Sequence, residues 1–238
     1  GSADLIRTAF PEVVLVEPGE NTYFCRGNNI GLDHAHGEYA LLLNPDTVAP
    51  TDMAEALITF MDSHPDHAGA TLQLRYPEGG IQRTCSRIAS FQYLLLTQTV
   101  LRLLLVKAAR RSEARHYYQD DGWDRTSDRD VEAIPGSCTL MRRADLHLSE
   151  ALLLYFNEDD LARRFAGRRF RFLCSPAIEH REKSVTRSAH ASRLYFRDLV
   201  VYTRLHHGTL QAAMIWLLSR PLAWGVTLRW RFGRHSPA

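Results

Sequence analysis

Four short runs of this 238-residue chain gather residue types that can do chemistry. The first, Asn44-Pro45-Asp46-Thr47, ends the apolar run Tyr39-Ala40-Leu41-Leu42-Leu43. Pro45 lacks a backbone donor and fixes φ, so a strand must leave its sheet there and present Asp46 at its carboxyl end. In open α/β sheets that rim is where ligands bind. A carboxylate so placed can hold Mg²⁺ or Mn²⁺, hard ions that leave positions open for substrate phosphates. It can equally cap the next helix or close an Asx-turn.

The second run, Cys25 to Asp33, contains Gly27, Asn28, Asn29 and Gly31. The glycines permit close backbone approach and the two amides offer donors and acceptors. That suits a sugar or phosphate at a helix start, or simply a polar N-cap. The third run is Tyr155-Phe156-Asn157-Glu158-Asp159-Asp160. Acids in a first helical turn favour the macrodipole, which accounts for their location but not for the aromatic pair before them. Successive helical side chains diverge by about 100°, so at most two of the acids face one cleft. In the fourth run His180 precedes Lys183, Ser184 and Arg187. A neutral imidazole can ligate a metal and the cations can meet a diphosphate; a surface histidine can also be inert.

These runs need elements to position them. Leu5, Ile6 and Phe10 have helical spacing up to Pro11, and 13–17 (Val-Val-Leu-Val-Glu) reads as a buried parallel strand. A Gly/Asn-rich loop entering a helix that ends near Gly37, a strand at 38–44, an amphipathic helix after Thr51 and a strand at 69–76 follow. Strand and helix alternate within the first 76 residues, which predicts an α/β fold with a mainly parallel sheet. Beyond it the pattern predicts one apolar-then-basic helix over 90–111. Two short strands flank Pro135-Gly136, a helix runs from 158 to Gly167, and a strand covers 168–176. From Ser184 on the chain reads as helical, basic and aromatic.

Bulk properties exclude several classes. A net charge of +2 gives no global field for nucleic acid. Basic residues concentrate at Arg102, Lys107, Arg110, Arg111 and Arg115 and at Arg220, Arg229, Arg231 and Arg234, beside apolar helical sequence. With Trp216, Trp224 and Trp230 this pattern suits an anionic membrane surface, or packing against the domain or a second subunit. The longest apolar stretch, 209–230, is interrupted by Arg220-Pro221, so a spanning helix is not expected. Cys25, Cys85, Cys138 and Cys174 form no Cys-x-x-Cys pair, which points to free thiols in a reducing cytoplasm. Neither a dinucleotide fingerprint nor a P-loop occurs.

The order of the motifs is more specific than any one of them. Gly27-Asn28-Asn29-x-Gly31, then Leu41-Leu42-Leu43-Asn44-Pro45-Asp46-Thr47, then Pro135-Gly136-Ser137-Cys138, then Phe156-Asn157-Glu158-Asp159-Asp160-Leu161, then His180 resembles the bacterial family-2 inverting glycosyltransferases. The nearest look is to rhamnosyltransferase-like members that build surface polysaccharides. The resemblance spans roughly residues 2–188. It implies a GT-A fold, Rossmann-like, with a mainly parallel sheet and helices on both faces. It also implies a nucleotide-diphosphate-sugar donor, a divalent metal (Mg²⁺ or Mn²⁺) and a glycan or lipid-linked acceptor.

Carried over by position, Asp46 is the metal-ligating acid of an Asp-x-Asp variant in which Asn44 replaces the first acid. Glu158 takes the place of the catalytic Asp, one methylene longer, and Asp160 matches the next acid. His180 matches a residue of the metal or diphosphate shell. Asn28 and Asn29 line the donor side, with Lys183 and Arg187 toward the phosphates, and Gly136, Ser137 and Cys138 border the acceptor side. The resemblance further implies that the chain starts inside a loop following a base-binding strand-helix-strand unit, so the fold is expected to be N-terminally truncated. A GT-A domain over 1–183 and a helical, membrane-interfacial region over 184–238 are expected, at the cytoplasmic face of the cell membrane. A non-catalytic remnant without donor binding is the alternative reading.

Overall fold

The computed structural model describes residues 1–181 and 188–232, with side chains to residue 226. Among them six strands form one sheet: β1 (Tyr39–Leu43), β2 (Thr47–Val48), β3 (Gly69–Arg75), β4 (Arg129–Val131), β5 (Cys138–Arg142) and β6 (Phe170–His180). The order is β1-β5-β3-β6-β2, with β4 also on β6. The sheet is mixed rather than mainly parallel. β3 and β6 pair in parallel, while β1 with β5, β3 with β5, β2 with β6 and β4 with β6 are antiparallel. The reason is local. β1, β3 and β6 run the same way, as strand-helix alternation requires, but β5 inserts between β1 and β3 in the opposite sense. Gly69 permits that insertion, since a Cβ there would lie 2.6 Å from the Leu140 carbonyl oxygen.

Period-two alternation divides the strand side chains between two cores. On one face Ala70, Leu72 and Leu74 of β3 and Cys138 and Leu140 of β5 pack on Met53, Leu57 and Met61 of helix α3 (Met53–Ser63). The other face is larger. Leu42, Met141, Phe170 and Phe172 meet α2 (Tyr23–Asp33), α4 (Phe91–Thr97), α7 (Asn157–Arg164) and α8 (Ala189–His207) there. Helices on both faces of a mixed sheet, with a C-terminal helical segment, make this a GT-A-like α/β fold. α8 and α9 (Thr209–Phe232) form a hairpin at Gly208, and Leu199, Tyr202 and Ile215 sit within the larger core. The C-terminal helices are thus anchored in the core rather than hung from it.

Two expected elements differ. Residues 13–17 form no strand, and Val14 is 70 % exposed. Among the described residues no strand runs beside them, and an unpaired strand gains neither ladder hydrogen bonds nor burial. They follow a first helix, α1 (Ser2–Ala9), which does form as its spacing predicts. The 90–111 run breaks into α4, α5 (Leu101–Leu104) and α6 (Val106–His116). Thr99 causes the first break: its hydroxyl bonds back to the Leu95 carbonyl and accepts from the Leu101 amide, while the Val100 amide turns to the Leu218 carbonyl of α9.

Candidate active site

β1 ends at Leu43, and the chain turns through Asn44-Pro45-Asp46 into the two residues of β2. The Thr47 hydroxyl closes this turn on the Asn44 carbonyl at 2.7 Å. Thr47 pairs with His180, the last residue of β6, and the Arg181 amide donates to the Asp46 carbonyl at 3.0 Å. Residues 134 positions apart in sequence thereby become neighbours: His180 Nε2 lies 3.4 Å from Asp46 Oδ1.

Gln82 defines what that contact is. The turn at Pro77-Glu78-Gly79-Gly80 folds the chain back along β3, and the Gln82 amide bonds the Leu74 carbonyl. Its side chain is buried. Nε2 donates to the His180 carbonyl at 2.6 Å, and Oε1 lies 2.8 Å from His180 Nδ1. Because the amide nitrogen is committed to a carbonyl, Oε1 must accept, so Nδ1 carries the proton. In the neutral ring Nε2 is then a bare lone pair facing a carboxylate oxygen. With a second ring proton Nε2 donates to Asp46 Oδ1, and with the neutral ring the pair offers one nitrogen and one oxygen to a shared cation. The donor set fits a divalent ion that takes its other ligands from substrate phosphates. Among the described residues no group of three or more His, Cys, Asp or Glu could hold a metal, so the protein would contribute this pair alone.

The other acid comes from α7. The Phe156 residue before it adopts φ +61°, a left-handed conformation that costs a bulky side chain about 1–2 kcal/mol. Its ring is held by stacking on Tyr202 and by a tilted contact with Tyr195. The strained step lets the helix begin immediately, with Glu158 half-buried in its first turn. Burial raises the Glu158 carboxyl above the ordinary glutamate value. Asp159 is buried beside it and accepts from the Ala89 amide at 3.0 Å. It is pushed up to about 7, first by burial and then by the Glu158 charge.

One turn joins the two halves. The Asn44 amide donates to the Ser137 carbonyl at 3.0 Å. One residue earlier, a Cβ on Gly136 would stand 3.0 Å from Asn157 Oδ1 and 3.3 Å from the Phe24 ring. The Asp46 loop and the start of α7 therefore pack against adjacent residues of the same tight turn. A polar depression of about 450 Å³ has Gln82, which holds His180, and Tyr117 in its wall, but Asp46, His180, Ser137 and Glu158 do not line it. Burial raises the Tyr117 hydroxyl, with Asp159 and Glu158 among the charges adding to it.

Several expected site residues have other tasks. Asn28 and Asn29 lie inside α2, not at its start. Asn28 bonds the Phe24 carbonyl of its own helix. Asn29 is buried with its amide spent on both backbone groups of Leu148 and on Glu150, which leaves nothing for a donor sugar. Asp160 is buried and faces α8, where it accepts from His206 Nε2 at 2.8 Å and approaches Arg164; it is not a catalytic acid in the cleft. The Cys138 side chain packs in the smaller core and Ser137 is buried, so Gly136 is the residue of that turn left partly exposed. Lys183 and Arg187 lie outside the described residues. All four cysteines are free thiols.

Two residues that the motifs did not single out matter here. Gln82 is one. Asp198 of α8 is the other: fully buried, its Oδ2 accepts from the amides of Leu153, Leu154 and Tyr155 at 2.8–3.1 Å. That clamp holds the segment leading into Phe156 and Glu158. Nothing local marks either residue, because each works through a partner far along the chain.

No curated protein sequence matches this chain. The family model for glycosyl transferase family 2 matches residues 1–147, well over half of the sequence and inclusive of Asp46, Gln82 and the Gly136 turn. Glu158 and His180 lie past the matched span, but the folded chain brings them back to it. Together the α/β fold and this match identify the chain as a member of glycosyl transferase family 2, whose activity is glycosyl transfer from a nucleotide sugar.

Proposed function

We propose that this protein transfers a hexosyl unit, with inversion, from a nucleotide-diphosphate donor to a hydroxyl of a glycan or lipid-linked acceptor. The observation that carries this reading is the turn at Gly136-Ser137, against which both the Asp46 loop and the start of α7 pack. Asp46 and the Nε2 lone pair of His180 would hold the divalent cation, with Gln82 fixing the ring tautomer. When bound, that cation supplies charge neutralisation on the departing diphosphate. Glu158 accepts the proton of the attacking hydroxyl. Its raised affinity for protons suits a base that must hold what it takes, and a general base typically contributes about 10²–10⁴ in rate. One base and one displacement invert the anomeric centre. The polar depression between Gln82 and Tyr117 has a size within the range of small-molecule sites and a lining suited to sugar hydroxyls. The motif order supports a rhamnosyl-type donor and a role in surface polysaccharide assembly.

Calorimetric titration of nucleotide-diphosphate sugars with Mn²⁺, followed by NMR of the product's anomeric proton, tests the reading. Metal-dependent donor binding and an inverted product are expected. Glu158→Gln should lower kcat by about 10²–10⁴ while leaving donor affinity nearly unchanged. Only ionised Glu158 acts, so the rate should rise with pH through an apparent pKa above that of an ordinary glutamate. No donor binding with any metal would reduce the chain to a non-catalytic member of its family.

A further inference from the structure

Helix α9 is apolar on both sides. Inward, Ala212 and Ile215 are buried in contact with the domain. Outward, positions 210, 213, 214, 217, 221 and 224 recur at three- and four-residue spacing and are all exposed; they are Leu, Ala, Met, Leu, Pro and Trp. Leu217 is 62 % exposed and Trp224 72 %. No charged residue occurs between Thr209 and Ser219. The stripe extends onto α5, where Leu104 is 72 % exposed and Leu103 shares a groove of about 660 Å³ with Leu222 and Val226. An outward apolar face of this extent marks a surface made to be covered.

Its surroundings carry one sign of charge. Arg193 and Arg220 border the stripe together with Trp216 and Trp224, and Arg197 beside them is paired with the buried Asp198 carboxylate. Arg102 stands on the opposite flank, and Lys107, Arg110 and Arg111 follow on one exposed side of α6. The single acid of the described helical pair is Asp198, which is buried. Tryptophan and arginine around an apolar stripe match the headgroup boundary of a bilayer. A symmetric pairing of two copies would set these arginines against each other, and like charges across an interface oppose association. No helix among the described residues is long and apolar enough to cross a membrane, so the helix would lie in the surface.

We propose that the outward face of α9, continued by α5, docks on an anionic lipid surface. The groove of Leu103 and Val226 also contains Tyr155, three residues before Glu158. Docking would set the segment that leads into α7 against the bilayer, beside acceptors carried there; this step alone rests on the transferase reading.

Flotation of the full chain tests the docking without donor, metal or acceptor, so it is independent of catalysis. The probes are vesicles of phosphatidylcholine alone and vesicles with about one-third phosphatidylglycerol, an anionic fraction ample for surface attraction. Binding is expected on the anionic vesicles and only weakly on the neutral ones. Arg193→Gln with Arg220→Gln should weaken anionic binding by about fivefold per charge. Leu217→Ser with Trp224→Ser should weaken it by about tenfold per residue. Arg193, Leu217 and Trp224 are exposed and Arg220 is half-buried against Trp216, and circular dichroism reports whether the variants fold. Quenching of tryptophan fluorescence by brominated lipid in the unaltered chain is a second readout that needs no variant. Absence of flotation and quenching on anionic vesicles would overturn the proposal. So would flotation indifferent to Leu217→Ser/Trp224→Ser, or a lipid-free dimer in sedimentation that these substitutions dissolve.

Discussion

At the residue scale the candidate chemistry rests on three side chains whose types were legible and one whose role was not. Asp46 follows from Pro45, Glu158 is singled out among the first-turn acids only by the family resemblance, and His180, expected a few residues after a strand, is the last residue of β6 itself. Gln82 carries no motif of its own, and nothing in its neighbours announces a histidine 98 positions away. Yet it is the group that decides which ring nitrogen faces Asp46. Replacing it separates tautomer control from mere packing. Gln82→Leu removes the acceptor for Nδ1–H, so long-range ¹H–¹⁵N spectra of His180 should change from one tautomer to a mixture. Mn²⁺ affinity should fall about 10–100-fold, the usual cost of losing an outer partner of a metal-binding histidine. An unchanged tautomer and unchanged Mn²⁺ affinity would remove His180 from the site. Asn29 teaches the reverse lesson: an amide suited to a sugar is spent entirely on Leu148 and Glu150, and only the tertiary fold brings them together.

At the element scale helices α1, α3 and α7 and strands β1, β3 and β6 follow from periodicity and punctuation, because each obeys local rules. Strand direction did not follow, since β5 is placed by its fit beside Gly69 and not by its own sequence. Residues 13–17 have strand composition without a ladder, and composition alone does not pair backbone. The segment 152–156 illustrates how an element is aimed from outside. It has no regular hydrogen bonds of its own, and Asp198 satisfies three successive amides in it. Asp198→Ala would leave those partly buried donors without their acceptor, each at a cost of about 1 kcal/mol. Urea denaturation should show a loss of about 3 kcal/mol. If the clamp also aims α7, kcat should drop in the folded variant with donor KM little changed. A loss no larger than that of an ordinary surface substitution would mean that the 153–155 amides find other acceptors.

At the scale of the whole molecule, burying an acid beside the proposed base Glu158 couples the site to global stability. Asp159 lies in the larger core beneath Glu158, with its proton affinity raised to about 7 from an ordinary 3.8. A carboxyl raised by folding stabilises the native state most at pH values below its unfolded pKa. Between 3.8 and about 7 the folded chain holds a proton that the unfolded chain has released, so stability falls across this window and levels off above it. The difference corresponds to about 4 kcal/mol, enough to matter against total stabilities of about 5–15 kcal/mol. Asp159→Asn keeps an oxygen for the Ala89 amide while removing the buried charge. The variant should therefore melt higher than the unaltered chain at pH 8 and close to it at pH 4. Arg163 stays in place on the Tyr202 hydroxyl and the Ala89 carbonyl, so its loss of an acidic neighbour is a smaller effect of opposite sign. Melting curves of both proteins across pH 4–9 check this. Parallel curves, displaced equally at every pH, would mean that Asp159 is ionised throughout and that the core beneath the site tolerates its charge.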